Sequence, residues 1–396
     1  MAKALEGVKV LDFTQYLAGP HCTMLLSELG AEVIKVEMTG KGEPERFATP
    51  LTEKRESFQF LDRNRGKKSV TLNLKSPKGR EMARMLAAKA DILVENFATG
   101  GMEKLGLGYE ELSKLNPRLI YASISGFGHT GPRRMDVSYD VISQAMGGLM
   151  SVNGYPNGEH LRTAISIGDY LGGFNGAIAI LAALHYRSIS GEGQAIDISM
   201  QDAVWSLVFP DRADYFTTGK IPQKFGNQFA SAVPFGSYNA KDGAVVICTI
   251  TDPQWQKVLL SIGREDLSGD ERFATRDNRV KNREAVNAVM DGFCGARTVE
   301  EILAALKKNQ VPCSPLPSFE QVANDPHLAS REMFVEVEQP VSGKLKLLGS
   351  VFKMSRTPGN RKMTAPAVGE HNEEIYSGLL GISPQEIQKL KEEGVV

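Results

Sequence analysis

Only four cysteines occur in 396 residues, Cys22, Cys248, Cys294 and Cys313, and none forms a C-x-x-C pair. That spacing excludes a zinc knot or a compact disulfide framework and fits a reducing cytoplasm, the location expected. The six histidines, His21, His129, His160, His185, His327 and His371, lack ligand spacing such as H-E-x-x-H, so no metal is expected. Neither sign of charge dominates. A formal net charge of −1 leaves no electrostatic footprint for nucleic acid or an anionic membrane, and a small-molecule partner is expected instead. Long apolar runs are missing too: the longest clean one, Ala177 to Leu184, falls far short of the roughly 20 residues that span a bilayer. The amino terminus, Met1-Ala2-Lys3-Ala4-Leu5-Glu6-Gly7, carries charges where a signal peptide needs an apolar core. A soluble protein with no membrane partner is the expectation. No internal repeat or low-complexity tract occurs.

What is present is an ordinary globular composition, 42% hydrophobic and 23% charged, on a chain long enough for two domains. Short β-branched runs at Val8–Phe13, Glu32–Glu37, Ser69–Leu74, Asp91–Glu95, Leu119–Ser125 and Ala195–Ser199 alternate with helical patterns. Parallel strands joined by helices give an α/β fold, a Rossmann-like sheet whose ligands sit at the carboxyl ends of the strands. No strand is followed by G-x-G-x-x-G and there is no G-x-x-x-x-G-K-[ST], so neither NAD nor a nucleoside triphosphate is expected. After Gln201 the pattern changes, and 218–243 is rich in Gly, Pro, Asn and Ser, which marks loops and turns. A strand at Ala244–Thr249, helices near Asp252–Ile262, Asn282–Cys294 and Thr298–Asn309, and a strand-like stretch over Val335–Val351 follow. The pattern itself marks a boundary near 201–243, with a smaller α+β unit beyond it. Ser383-Pro384 opens a last helix.

Asp169 is the candidate reactive group. It sits in Ile167-Gly168-Asp169-Tyr170-Leu171-Gly172-Gly173, before the apolar segment Phe174–Leu184. Three glycines clear side chains from around one carboxylate, and a helix beginning there would favour its ionised form. An ionised carboxylate can act as a nucleophile, or can simply cap the helix. Spacing alone leaves both readings open.

Several segments together resemble the class III CoA-transferases, the formyl-CoA and carnitine CoA-transferase group. They are Leu5 through Asp12 with Ala18-Gly19-Pro20, Gly30 through Glu37, Asn64 through Lys75, Val94-Glu95-Asn96-Phe97, Gly168-Asp169, Gly191-Glu192-Gly193-Gln194, Met200-Gln201-Asp202-Ala203 and Gly369-Glu370-His371. The resemblance implies a large Rossmann-like domain over 1–200 completed by 350–396, a linker at 201–225, a small α+β domain at 226–325 and a return linker at 326–349, an interlocked homodimer, and an enzyme that moves CoA from an acyl-CoA donor to a carboxylic acid, with Asp169 carrying the CoA as a thioester. It implies coenzyme A as substrate and maps CoA contacts onto Leu17, Ala18, Leu72, Asn73, Leu74, Lys75, Asn96, Phe97, Ala98, Lys104, Val137, Ser138, Tyr139 and Asp140. Lys75 and Lys104 are candidate phosphate partners or solvated lysines; the run Arg63 to Lys68 is a positive field over phosphates or a solvated turn; Phe97 stacks on adenine or fills core. Gly172-Gly173 and the loop near Gly226 are candidate oxyanion donors. Where formyl-CoA transferases carry polar or aromatic residues for oxalate, this chain has Gln15, Leu17 and Ala48, and Met38 replaces an arginine, which points to a roomier pocket for a larger acid or a C4–C5 dicarboxylate. Two further readings belong to the same family, an α-methylacyl-CoA racemase and a non-catalytic CoA-binding subunit. A racemase pairs its aspartate with a histidine, where this chain has Tyr139, and a phenol with a pKa of about 10 is a poor proton carrier near neutrality.

Overall fold

The computed structural model describes residues 3–396. Two compact units divide the chain: one is 1–150, 162–213 and 327–396, the other 151–161 and 214–326.

In the first unit six parallel strands, β1 (Lys9–Asp12), β2 (Glu32–Glu37), β3 (Lys68–Thr71), β4 (Ile92–Glu95), β5 (Ile120–Ser125) and β6 (Ala195–Ser199), form one sheet in the order β3-β2-β1-β4-β5-β6. Val10 pairs with Val33 of β2 on one side and Ile92 of β4 on the other, so the strand order reverses at β1. Reversal opens a crevice at the carboxyl ends of β1 and β4, where ligands of such sheets bind. Alternate residues along β1 and just past it serve opposite cores: Leu11 and Phe13 join Val70, Met82 and Tyr376, whereas Val10 joins Leu26, Ile124 and Ile180. Both faces are covered, as an all-parallel sheet requires.

Helix α1 (Ala18–Glu28) follows β1, and α2 (Phe58–Arg63), capped by Ser57, precedes β3. Ser76 caps α3 (Pro77–Lys89) with Pro at its start. Helices α4 (Asp140–Met146) and α5 (Ile167–Ser190) come between β5 and β6. A small-residue face of α5, Gly168, Gly172, Gly173, Gly176, Ala177 and Ala183, is buried. It packs on α1 and β5. A Cβ on Gly173 would lie 2.8 Å from the Ala18 carbonyl oxygen and 2.9 Å from His21 Cδ2, so glycine is what permits the contact. Among the described residues α5 is the one helix long and apolar enough to cross a membrane by length and composition; its small-residue face packs on α1 and β5.

The expected linker over 201–225 is largely helical, with helices at Met200–Leu207 and Phe209–Thr218. In the second unit β7 (Phe235–Asn239), β8 (Ala244–Cys248) and β9 (Cys313–Pro315) form an antiparallel sheet with a core around Trp255, Met290 and Leu306. Strand β7 lies within the segment read as turns. In the first unit the stretch expected near Val335–Val351 is a hairpin, β10 (Phe334–Gln339) and β11 (Gly343–Leu348), and the last helix is Pro384–Glu392.

Candidate active site

The crevice predicted by the strand order is a cleft of about 290 Å³. Its walls are the segments that leave three strands: Gln15–Ala18 after β1, Asn96–Thr99 after β4 and Ile124–Phe127 at the end of β5, with Asp136–Tyr139, Met200 and Asp169 completing it.

Asp169 lies in the first turn of α5, and Ser166 occupies the cap position without a side-chain bond. Asp169 is therefore not the N-cap. Its carboxylate accepts no hydrogen bond among the described residues and lines the cleft, an arrangement suited to attack on a substrate. Burial first, and then the charge of Asp140, push its carboxyl up to about 7, with Arg63 pulling the other way. The ionised form expected from the helix terminus is thus opposed by desolvation, the larger effect here.

Asp140 is turned inward. Its Oδ1 accepts from Gly168 N at 2.8 Å and its Oδ2 from Gln144 Nε2 at 2.7 Å, which ties the start of α4 to the start of α5. It positions the turn that carries Asp169. Asn96 lies in the cleft but spends its amide on Gln15: Gln15 N donates to Asn96 Oδ1 and Asn96 Nδ2 donates to the Gln15 carbonyl, both at 2.8 Å. Tyr16, next along, has a φ of 63°, a costly backbone state for a tyrosine, and meets Tyr139 edge-on at 6.4 Å. Asn96 and the Lys35 ammonium, which donates to the Thr14 carbonyl at 2.8 Å, hold this turn in place.

Of the residues mapped as CoA contacts, Leu17, Ala18, Asn96, Phe97, Ala98, Val137, Ser138 and Tyr139 line the cleft with Asp169. Leu72, Asn73, Leu74, Lys75, Lys104 and Asp140 do not. Leu72 is core, Leu74 packs against it, and Asn73 N donates to the Val395 carbonyl, while Lys75 and Lys104 are exposed. Phe97 packs on the core and also lines the cleft. Gln15, read at the acid pocket, lines the cleft as well; Tyr16, Thr99, Ile124, Ser125, Gly126, Phe127, Asp136 and Met200 were missed, although the ends of β1, β4 and β5 pointed to most of them.

Two expectations need correction. Gly172 and Gly173 sit in the second turn of α5, where each N–H bonds within the helix, and Gly226 N donates to the Gly154 carbonyl. Neither is a free oxyanion donor. The run Arg63 to Lys68 is neither a phosphate field nor a solvated turn: buried Lys67 bonds Asp12, Thr23, Asn64 and the Pro20 carbonyl, Arg65 bonds Asp62 and two carbonyls, and Lys68 pairs with Glu32 and Glu374. A cation under α1 must be paired to be tolerated, and Asp12 supplies the charge. His129 lies near Glu95 and Glu103, with its backbone N–H on Asp197. It is not among the groups lining the cleft.

Residues 5–372 match the CoA-transferase family III. The chain is 35% identical over 395 residues to a succinyl-CoA–D-citramalate CoA-transferase of Chloroflexus aurantiacus, covering all of this chain and 98% of that one. It is 38% identical over 384 residues to a succinyl-CoA:mesaconate CoA-transferase of Haloarcula marismortui, covering 94% and 95%. The crystal structure of a CAIB/BAIF family protein from Brucella suis superposes with a TM-score of 0.84 at 34% identity, covering 96% of this chain and 100% of that one. The chain belongs to the class III CoA-transferases and is an enzyme that transfers CoA between an acyl-CoA and a carboxylic acid.

Proposed function

We propose that Asp169 is the nucleophile of a reversible acyl-CoA:carboxylate CoA-transfer that passes through an aspartyl-CoA thioester. The observation that carries this is one unbonded carboxylate on a cleft formed at the carboxyl ends of β1, β4 and β5. The Asp169 oxygen attacks the donor thioester carbonyl, the C–S bond breaks and CoA thiolate leaves, giving a mixed anhydride. The thiolate then attacks the Asp169 carbonyl, the anhydride C–O bond breaks and the donor acid departs. The acceptor carboxylate runs the two steps in reverse. The exchanged thioesters are nearly equal in energy, and the activation is conserved on the Asp169 carboxyl, first as the anhydride and then as the thioester. Coenzyme A occupies the cleft along Leu17, Ala18, Asn96, Phe97, Ala98, Val137, Ser138 and Tyr139.

The acceptor in this reading is a C4–C5 dicarboxylate. The two transferases named above act on succinyl-CoA, and small Ala48 and apolar Leu17 leave room for more than oxalate. The enzyme works in the cytoplasm as an interlocked homodimer. Phe174, Ile178, Leu181 and Ile189, at helical spacing on the outer side of α5, are exposed, as a face that meets a second copy would be. A screen of acyl-CoA donors against mono- and dicarboxylic acids, read by mass spectrometry, tests the reaction class: acyl-CoA exchange with a dicarboxylate supports it, and α-proton exchange in D2O without an acceptor acid contradicts it.

A further inference from the structure

One group of polar atoms near Asp169 is left incomplete by the thioester chemistry. The turn Pro44–Phe47 carries Glu45 and ends at Ala48, and α2 ends at Arg63. Arg63 Nη1 donates to Glu45 Oε1 at 2.6 Å and to Gln59 Oε1 at 3.0 Å. One nitrogen of the guanidinium is thus used. No partner for its Nη2 or Nε occurs among the described residues, and the side chain keeps 13% exposure. Glu45 is only 4% exposed, and its Oε2 is buried without a partner. A buried carboxyl oxygen left unbonded is costly, and half an arginine fork is the shape that a planar carboxylate completes.

The pair belongs to the surroundings of Asp169. Both charges act on its carboxyl, Arg63 lowering and Glu45 raising it. His21, held edge-on between Tyr170 and Phe174 of α5, feels Arg63 as well, and the helix that carries it packs on both α2 and α5. Neither Arg63 nor Glu45 lines the CoA cleft.

We propose that Arg63 and Glu45 form the subsite that reads the far carboxylate of a dicarboxylate whose other carboxyl reacts at Asp169. The inference rests on the transferase reading given above. The free guanidinium nitrogens donate to that carboxylate, and Glu45, when protonated, donates to it from Oε2. Burial pushes the Glu45 carboxyl up to about 7, which makes the protonated form accessible near neutrality. A monocarboxylate of equal length leaves the fork unfilled.

The test compares succinate with butyrate as acceptors, four carbons each, for wild type, Arg63→Gln and the double variant Glu45→Gln/Arg63→Met. In a ping-pong exchange the acceptor's kcat/KM does not depend on the donor half-reaction, so succinyl-CoA serves as donor throughout, and the acceptor acids are 13C-labelled so that mass spectrometry separates newly formed succinyl-CoA from the donor. Wild type should prefer succinate, and Arg63→Gln should lower the succinate-to-butyrate ratio of kcat/KM roughly 10- to 100-fold, the worth of hydrogen bonds to a charged group. Should Arg63→Gln fail to fold because Glu45 is stranded, the double variant, which removes both charges, must show the same fall. An unchanged ratio in a folded variant, or a wild type that transfers CoA equally well to both acids, overturns the subsite. Absence of transfer to every acid and from every donor would instead overturn the transferase mechanism.

Discussion

Replacing Asp169 with asparagine should remove activity and, above neutral pH, make the protein more stable. The carboxyl sits at about 7 in the fold against an ordinary value of 3.8, a displacement of about three units. The native state therefore holds a proton that the unfolded chain releases between about pH 4 and 7, and this group's contribution to stability falls as pH rises through that window. At about 1.4 kcal/mol per unit the full displacement corresponds to roughly 4 kcal/mol, and access of water from the cleft reduces it to about 2 kcal/mol. The amide keeps the shape without the charge. Urea unfolding of wild type and Asp169→Asn across pH 4 to 8 should show matching midpoints at pH 4 and a growing advantage for the variant up to about pH 7.5. Glu95 is also raised to about 7, but it is common to both proteins and cancels in the difference. A difference independent of pH, or one favouring wild type at pH 8, would refute the reasoning.

Turnover should fall on the acidic side with a limb near pH 7, because the proposed reaction needs Asp169 as the anion, and Asp140→Asn should move that limb to lower pH by removing the neighbouring negative charge; a limb that stays put in the pH profile of kcat/KM would count against the electrostatic account. Gly173→Ala should destabilise the fold by about 1–3 kcal/mol, since the methyl group meets the Ala18 backbone and the His21 ring, as thermal unfolding would report. Asn96→Ala should raise KM for the acyl-CoA about tenfold by releasing the Gln15–Tyr16 turn, and adding Tyr16→Gly, which removes the left-handed strain, should recover part of the loss. Lys67→Met should cost about 3–5 kcal/mol in urea unfolding because it leaves Asp12 buried without its cation.

The parallel sheet was legible because each strand is a short β-branched run followed by a helical pattern, and β2 and β6 fall at the residues the pattern indicates. Asp169 was legible through its glycines, although their role differs: Gly172 and Gly173 bring α5 against α1 and leave the oxyanion to other groups. Lys67 was misread because a lysine run reads as solvated, and nothing local shows that α1 will cover it and Asp12 will pair with it. Asn96 and Asp140 lie in segments that mark the site, yet their bonds run to residues far along the chain or on another helix, Gln15 and Gly168. Strand β7 was hidden because its inward Tyr238 is flanked by Gly, Pro and Asn residues, and pairing with β8 outweighs that local turn chemistry.

The central claim is that CoA is carried on Asp169, and trapping the carrier tests it most directly. Wild-type protein mixed with succinyl-CoA and no acceptor should gain a thioester-linked CoA, which intact-protein mass spectrometry detects, hydroxylamine captures and borohydride reduces. Peptide mapping should place the modification on the peptide that contains Asp169, with inactivation by either reagent only when acyl-CoA is present. A label on Asp140 or Glu45, or no adduct and no acyl-CoA-dependent inactivation under conditions where transfer to an added acid proceeds, would contradict the account.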